Sequence, residues 1–123
     1  MVYFYWYVSI MVLVTTLLAA NVSRVRLKEK IGNGDGGNKD LRKAIRSHMN
    51  TIEHGLPFGL VLLALAMQNT SGSILAMMTF GFIATRLANS YGMLTSKFRI
   101  RQITAGITYL FQLLGCIIVM INI

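Results

Sequence analysis

Read only as apolar and polar positions, the chain falls into four long apolar stretches separated by three short polar ones. The first runs from Val2 to Ala20, opens on the aromatic string YFYWY and is followed directly by the basic segment RVRLKEK. Residues 32–40, GNGDGGNKD, hold four glycines and are otherwise polar, which is the composition of a loop. Asp40 is the candidate cap for a helix that starts near Leu41. The next apolar run, Gly55 to Met67, has only 13 residues, whereas a membrane span needs about 20. Counting back from Gln68 to complete the span reaches Met49. Asn50, Glu53 and His54 are thereby drawn to hydrocarbon depth, with Arg46 and His48 at its boundary. QNTSGS then makes an uncharged turn. Ser73 to Leu94 forms a third stretch interrupted by Arg86, TSKFRIR a second basic connection, and Ile103 to Ile121 a fourth stretch.

The pattern predicts an all-α membrane protein, a four-transmembrane-helix bundle forming one integral membrane domain over residues 1–123. The helices are expected at about 2–24, 40–68, 73–95 and 100–121. Both basic connections, about 25–39 and 96–99, fall on one side, and both termini and the uncharged turn on the other. By the positive-inside rule the connections are cytoplasmic and the termini are not. A signal peptide is the rival reading of the first stretch. It lacks a positive residue before the apolar run, and the run is longer than a signal core.

Composition agrees. Hydrophobic residues make up 54% of the chain and charged residues 13%, about half the share of a soluble domain. The net charge is +8, but eight of the twelve Lys and Arg lie between Arg24 and Arg46. They border apolar runs, so they read as membrane-surface anchors against lipid, and no nucleic-acid partner is expected. One cysteine, Cys116, excludes an internal disulfide. His48 and His54 are about 240° apart around a helix and cannot chelate together, so no metal site is expected.

Candidate chemistry comes from helical faces. Arg42, Arg46, Asn50 and Glu53 make one stripe on the second helix, with His54 at its edge and His48 on the far side. Arg86, Asn89, Ser90 and Met93 share a side of the third, and Arg101, Thr104, Thr108, Gln112 and Gly115 a side of the fourth. Pro57 lacks the N–H that would bond the carbonyl of Glu53, so a kink and a spare carbonyl are expected there. Facing one another, the stripes line a cationic cleft at the basic end of the bundle. Guanidinium groups suit carboxylates or phosphates. A glutamate among them suits a ligand that also carries an ammonium or amide donor. Lipid-facing walls would admit a second, apolar molecule. Each stripe also has a plain structural reading: snorkelling arginines, a Glu53–Arg86 ion pair and close packing of helix four. Ionisable groups at this depth are functional candidates by default.

The segment IRSHMNTIEHGLPF resembles the second-helix motif of the family of membrane-associated proteins in eicosanoid and glutathione metabolism, MAPEG. Arg46, His48, Asn50, Glu53, Pro57 and Phe58 match the motif in order and spacing. RVRLKEK, RLANSYG and RIRQIT are similar to the basic end of its first helix, its third-helix motif and the start of its fourth. The compact GNGDGG loop and short termini look like the bacterial members, which implies the bacterial inner membrane. The resemblance implies a left-handed four-helix protomer, a homotrimer, and glutathione bound as co-substrate between subunits near the cytoplasmic face. Arg46, Asn50 and Glu53 would hold glutathione's backbone and carboxylates, with Asn89 on the same site. Arg86 would pair with Glu53 or with the ligand, and Arg26 would reach in from the end of helix one. Arg42, His48 and Tyr91 would be supporting residues. Position 89 is Asn where the family motif has His, and position 93 is Met where the eukaryotic enzymes carry Tyr.

The function implied is a glutathione-dependent membrane transferase or peroxidase acting on apolar small molecules from the bilayer. A free thiol has a pKa of about 8.5, and a fixed cation beside it raises the thiolate fraction. Arg101, the basic residue on the helix-four face, is the candidate for that catalytic role. The alternative is a non-catalytic scaffold or an anion- or lipid-binding protein of the same fold. A small drug/proton antiporter needs a carboxylate in the first helix, and this first apolar stretch has none.

Overall fold

The computed structural model describes residues 1–123 as four α-helices with no strand: α1 (Val2–Glu29), α2 (Lys39–Met67), α3 (Gly72–Leu94) and α4 (Phe98–Ile121). α1, α2 and α4 are each long and apolar enough to cross a membrane, and the protein is an integral membrane protein. α3 has 23 residues, a length of about 34 Å at 1.5 Å per residue. It carries Arg86, Asn89 and Ser90, and all three are buried against the other helices. Its polar side chains are therefore covered by protein and not offered to lipid.

α2 and α3 form the middle of the bundle and each touches all three other helices, whereas α1 and α4 do not meet. α1 joins by a narrow seam: only Tyr7, Met11, Leu18 and Val25 are buried, at spacings of four, seven and seven. Those intervals put one residue on the same face every one or two turns. Leu13 and Leu17 on its other faces are exposed, as the lipid-facing side of a spanning helix should be.

The core centres on Phe58 and Phe82, whose rings stack at 3.8 Å, with Phe111 edge-on to both and Tyr7 tilted against them. Close approach needs small residues. A Cβ at Gly115 would lie 2.6 Å from Val61 Cγ1, and one at Gly55 would lie 2.8 Å from Met11 Cε.

α2 is held by its carbonyls. Tyr7 Oη donates to the Gly55 carbonyl at 2.6 Å, Gln112 Nε2 to that of His54 at 3.4 Å, and Arg86 Nη2 to that of Asn50 at 3.3 Å. One donor comes from each neighbouring helix, within two turns of Pro57. α2 runs helical through that proline.

The polar connections differ in detail from the sequence reading. α1 continues past residue 24 to Glu29 and ends on Lys30 in the left-handed conformation (φ 56°). Asn38, not Asp40, caps α2: its backbone is extended, and its Oδ1 accepts from Leu41 N–H at 2.9 Å. Asp40 instead lies in the first turn, where its charge complements the helix dipole. Gly34, Gly36 and Gly37 all have positive φ, which explains the glycine density of this loop.

Candidate functional site

The polar faces of α2, α3 and α4 meet around Arg86, which is 1% exposed. Its Nη1 donates to Thr108 Oγ1 at 3.0 Å. Its Nη2 donates to the Asn50 carbonyl, to Asn50 Oδ1 and, at 3.1 Å, to Asn89 Oδ1. Of its donor atoms only Nε lacks a partner. The network runs on into α4. Asn89 Nδ2 donates to Thr104 Oγ1 at 2.9 Å, and the Thr104 and Thr108 hydroxyls donate to the Ile100 and Thr104 carbonyls. Thr51 and Ser90 share a hydrogen bond of 3.2 Å between α2 and α3. Such satisfied polar groups pin three helices in one register, since an unmatched buried partner is expensive.

In front of this network is a cleft of about 230 Å³ lined by Arg46, Asn50, His54, Arg86, Asn89, Met93, Phe98, Arg101, Gln102 and Tyr109, among others. A second opening, lined by Arg42, Lys43, Arg46, Met93 and Arg101, adjoins it as a cationic mouth. Arg46 and Arg101 are exposed and make no hydrogen bond or ion pair through their side chains. The two free cations thus sit at the mouth, and the spent one forms the floor. The close packing of α3 on α4 sets where Arg101 starts: a Cβ on Gly92 would lie 3.2 Å from the backbone nitrogen of Arg101.

Five sequence-derived candidates belong to this cleft: Arg46, Asn50, Arg86, Asn89 and Arg101. Arg42 lines the mouth, but its Nε is 2.8 Å from Asp35 Oδ2. That contact and the Gly37 N–H hold the Asp35 carboxyl below the usual carboxylate range. The expected Glu53–Arg86 pair does not form: Glu53 is exposed on another side of α2, and both terminal nitrogens of Arg86 are engaged by neutral oxygens. Arg26 does not line the cleft. Its Nη1 donates to the carbonyls of Ile31, Gly32 and Gly34, the last at 2.8 Å, and so organises the glycine loop. Tyr91 faces outward and accepts from Lys97 Nζ at 2.8 Å, which also lies over its ring. His48 is half-buried and lines neither opening.

Sequence reasoning missed Gln102 and Tyr109 and left His54 at the margin. Gln102, Ala105 and Tyr109 recur at three and four residues, so one face of α4 carries them all. The His54 and Tyr109 rings lie 5.7 Å apart at the inner end of the cleft.

A larger groove, about 300 Å³ between α1 and α2, is apolar. The hydroxyls that border it are already engaged: Tyr7 with Gly55, Thr15 with Met11 and Thr51 with Ser47. Convergent unspent polar groups, the mark of a specific binding site, are found only in the α2–α3–α4 cleft and its mouth and at the charged ends of the helices.

Comparison with known proteins adds a family. The model of the MAPEG family matches residues 4–121. The inner membrane protein YecN of Escherichia coli, in strain K12 and in O6:H1 strain CFT073, is 32% identical over 83 residues, 67% of this chain. The match spans 63% of the length of those relatives. No solved structure matches the chain.

Proposed function

The chain belongs to the MAPEG family, and from that premise we propose that it is a glutathione-dependent transferase or peroxidase of the bacterial inner membrane. The observation that carries the reading is the convergence of Arg46 and Arg101, both without protein partners, over the hydrogen-bonded Arg86–Asn50–Asn89 floor. Arg46 and the mouth cations would take the tripeptide's carboxylates by forked hydrogen bonds. Arg101 would stand by the sulfur. Its charge would favour thiolate over thiol, and the thiolate would attack an apolar electrophile or a lipid hydroperoxide arriving past Phe98 and Tyr109 from the bilayer. Arg86 would be a positioning residue: its donors already hold Asn50 and Asn89, so it would aim those amides rather than bind the ligand directly.

A homotrimer is part of this proposal. Glu53 is an exposed carboxylate with no protein partner at hydrocarbon depth, which is unfavourable by about 2.5–3.5 kcal/mol on insertion scales. A neighbouring copy or the ligand's ammonium group would relieve it.

The second reading is a non-catalytic anion- or lipid-binding protein of the same fold. It is favoured by Asn89, whose amide is engaged by Arg86 and Thr104, and by Met93, an apolar side chain at the point where the two openings adjoin.

Ultraviolet thiolate absorbance of glutathione added to the purified protein, with and without Arg101→Ala, separates the two. Thiolate that vanishes in the variant while binding persists supports the enzyme. Binding without thiolate supports the scaffold, and absence of binding overturns both glutathione roles.

A further inference from the structure

At the same basic end of the bundle, but sharing no residue with the cleft or its mouth except Lys43, a separate cleft of about 250 Å³ opens between the end of α1 and the start of α2. Arg24, Lys28 and Lys43 line it with Glu29 and Asp40, over an apolar base of Val25 and Leu94. Five charges of both signs border one small space, yet only Lys43 and Asp40 come within ion-pair range, at a loose 3.9 Å. Arg24 is turned toward the apolar stretch by Asn21, whose Oδ1 accepts from its Nε and Nη2 at 3.3 and 2.9 Å. Its Nη1 is left without a partner. The charges therefore stand apart across the cleft instead of neutralising one another.

Separated charges of both signs complement a ligand that carries both signs. We propose that this cleft binds the headgroup of an aminophospholipid, with the phosphodiester on Arg24, Lys28 and Lys43 and the primary ammonium on Glu29 and Asp40. Two features favour a lipid over a soluble zwitterion. The cleft lies where the first apolar run ends and the basic segment begins, the depth of a headgroup layer. Leu13 and Leu17, exposed on α1 toward the bilayer interior, offer a surface for acyl chains. Phosphatidylglycerol would meet the same cations but bring only neutral hydroxyls to Glu29 and Asp40, leaving both carboxylates without a cation. The assignment does not rest on the glutathione reading, although Lys43 borders both this cleft and the mouth.

Native mass spectrometry of the full chain released from nanodiscs with equal phosphatidylethanolamine and phosphatidylglycerol tests it. The expected result is retained phosphatidylethanolamine in excess by about fivefold or more, the effect of one or two charge-assisted hydrogen bonds. Glu29→Gln with Asp40→Asn should abolish or invert that preference, and Arg24→Gln with Lys43→Gln should lower retention of both lipids. Replacing phosphatidylethanolamine by phosphatidylcholine, which lacks ammonium N–H donors, tests the unaltered protein and should also erase the preference. Equal retention of the two lipids by the wild type overturns the proposal, as does a preference unmoved by the carboxylate changes. Binding of O-phosphoethanolamine to the lipid-free protein as tightly as phosphatidylethanolamine would overturn the lipid assignment in favour of a soluble zwitterion, because the acyl chains would then add nothing.

Discussion

The floor and the mouth of the α2–α3–α4 cleft are both built on arginine, but the arginines are held in opposite ways. Arg86, on the floor, is enclosed by protein and gives its hydrogen bonds to Thr108, Asn50 and Asn89. Arg46 and Arg101, at the mouth, are exposed and give none. The same side chain serves as a fastener in one place and as a standing charge in the other. A buried guanidinium stabilises only if nearly every donor is matched. A guanidinium meant for a ligand has to stay unmatched, which is tolerable at the rim, where water and headgroups solvate it.

Removing the fastener should have the largest effect. Arg86→Ala removes the shared donor of the Thr108, Asn50 and Asn89 oxygens, and we expect a loss of about 3–5 kcal/mol, since each acceptor left unmatched costs about 1–3 kcal/mol. Unfolding in detergent, followed by helical circular dichroism, measures it. Arg86→Lys should rescue less than half, because one ammonium cannot reproduce a fork that reaches two helices. A variant as stable as wild type would erase the distinction between floor and mouth.

Gly92→Ala probes the link between the regions. The added methyl meets the α4 backbone, which cannot give way as a side-chain end would. A destabilisation of about 1–3 kcal/mol is expected, with weaker thiolate absorbance although every arginine remains. Unchanged absorbance would mean that the α3–α4 approach does not set the position of Arg101.

Arg101→Ala should lower the glutathione thiolate signal about tenfold, one pKa unit of the thiol. Its effect on stability should stay within about 0.5 kcal/mol, as for a surface substitution. A large stability loss would show that the mouth arginine is structural after all.

The smallest effect should be local and pH-driven. The Asp35 carboxyl is held low by Arg42 and the Gly37 N–H, so its contribution is present above the unfolded value of about 3.9 and is lost as pH falls through the lower folded value. The Gly37 amide resonance should titrate with a midpoint below that of a free aspartate. A midpoint at or above it would remove the reason for treating Arg42 as less available than Arg46.

Much of the floor was legible in the sequence, because an angular step of 100° per residue puts Arg86 with Asn89, and Thr104 with Thr108, whatever the rest of the fold does. Partner choice was not. Arg26 and Glu53 were both expected at the cleft. One is captured by loop carbonyls that glycines with positive φ turn inward, and the other falls just outside the arc of α2 that the bundle covers. Neither loop shape nor packing arc is encoded in periodicity. Tyr109 is hidden in the sequence for a related reason: an aromatic among leucines reads as lipid-facing until a neighbouring helix supplies His54 opposite it.

The three carbonyls of α2 that accept from α1, α3 and α4 act together as an index pin. A slip of one residue would turn the helix by about 100° and carry Arg46 away from Arg101, and each of the three outside donors resists that rotation. Changes in bilayer thickness should then be absorbed by tilting the bundle as a whole. The spacing between the mouth cations would stay constant from one membrane to another.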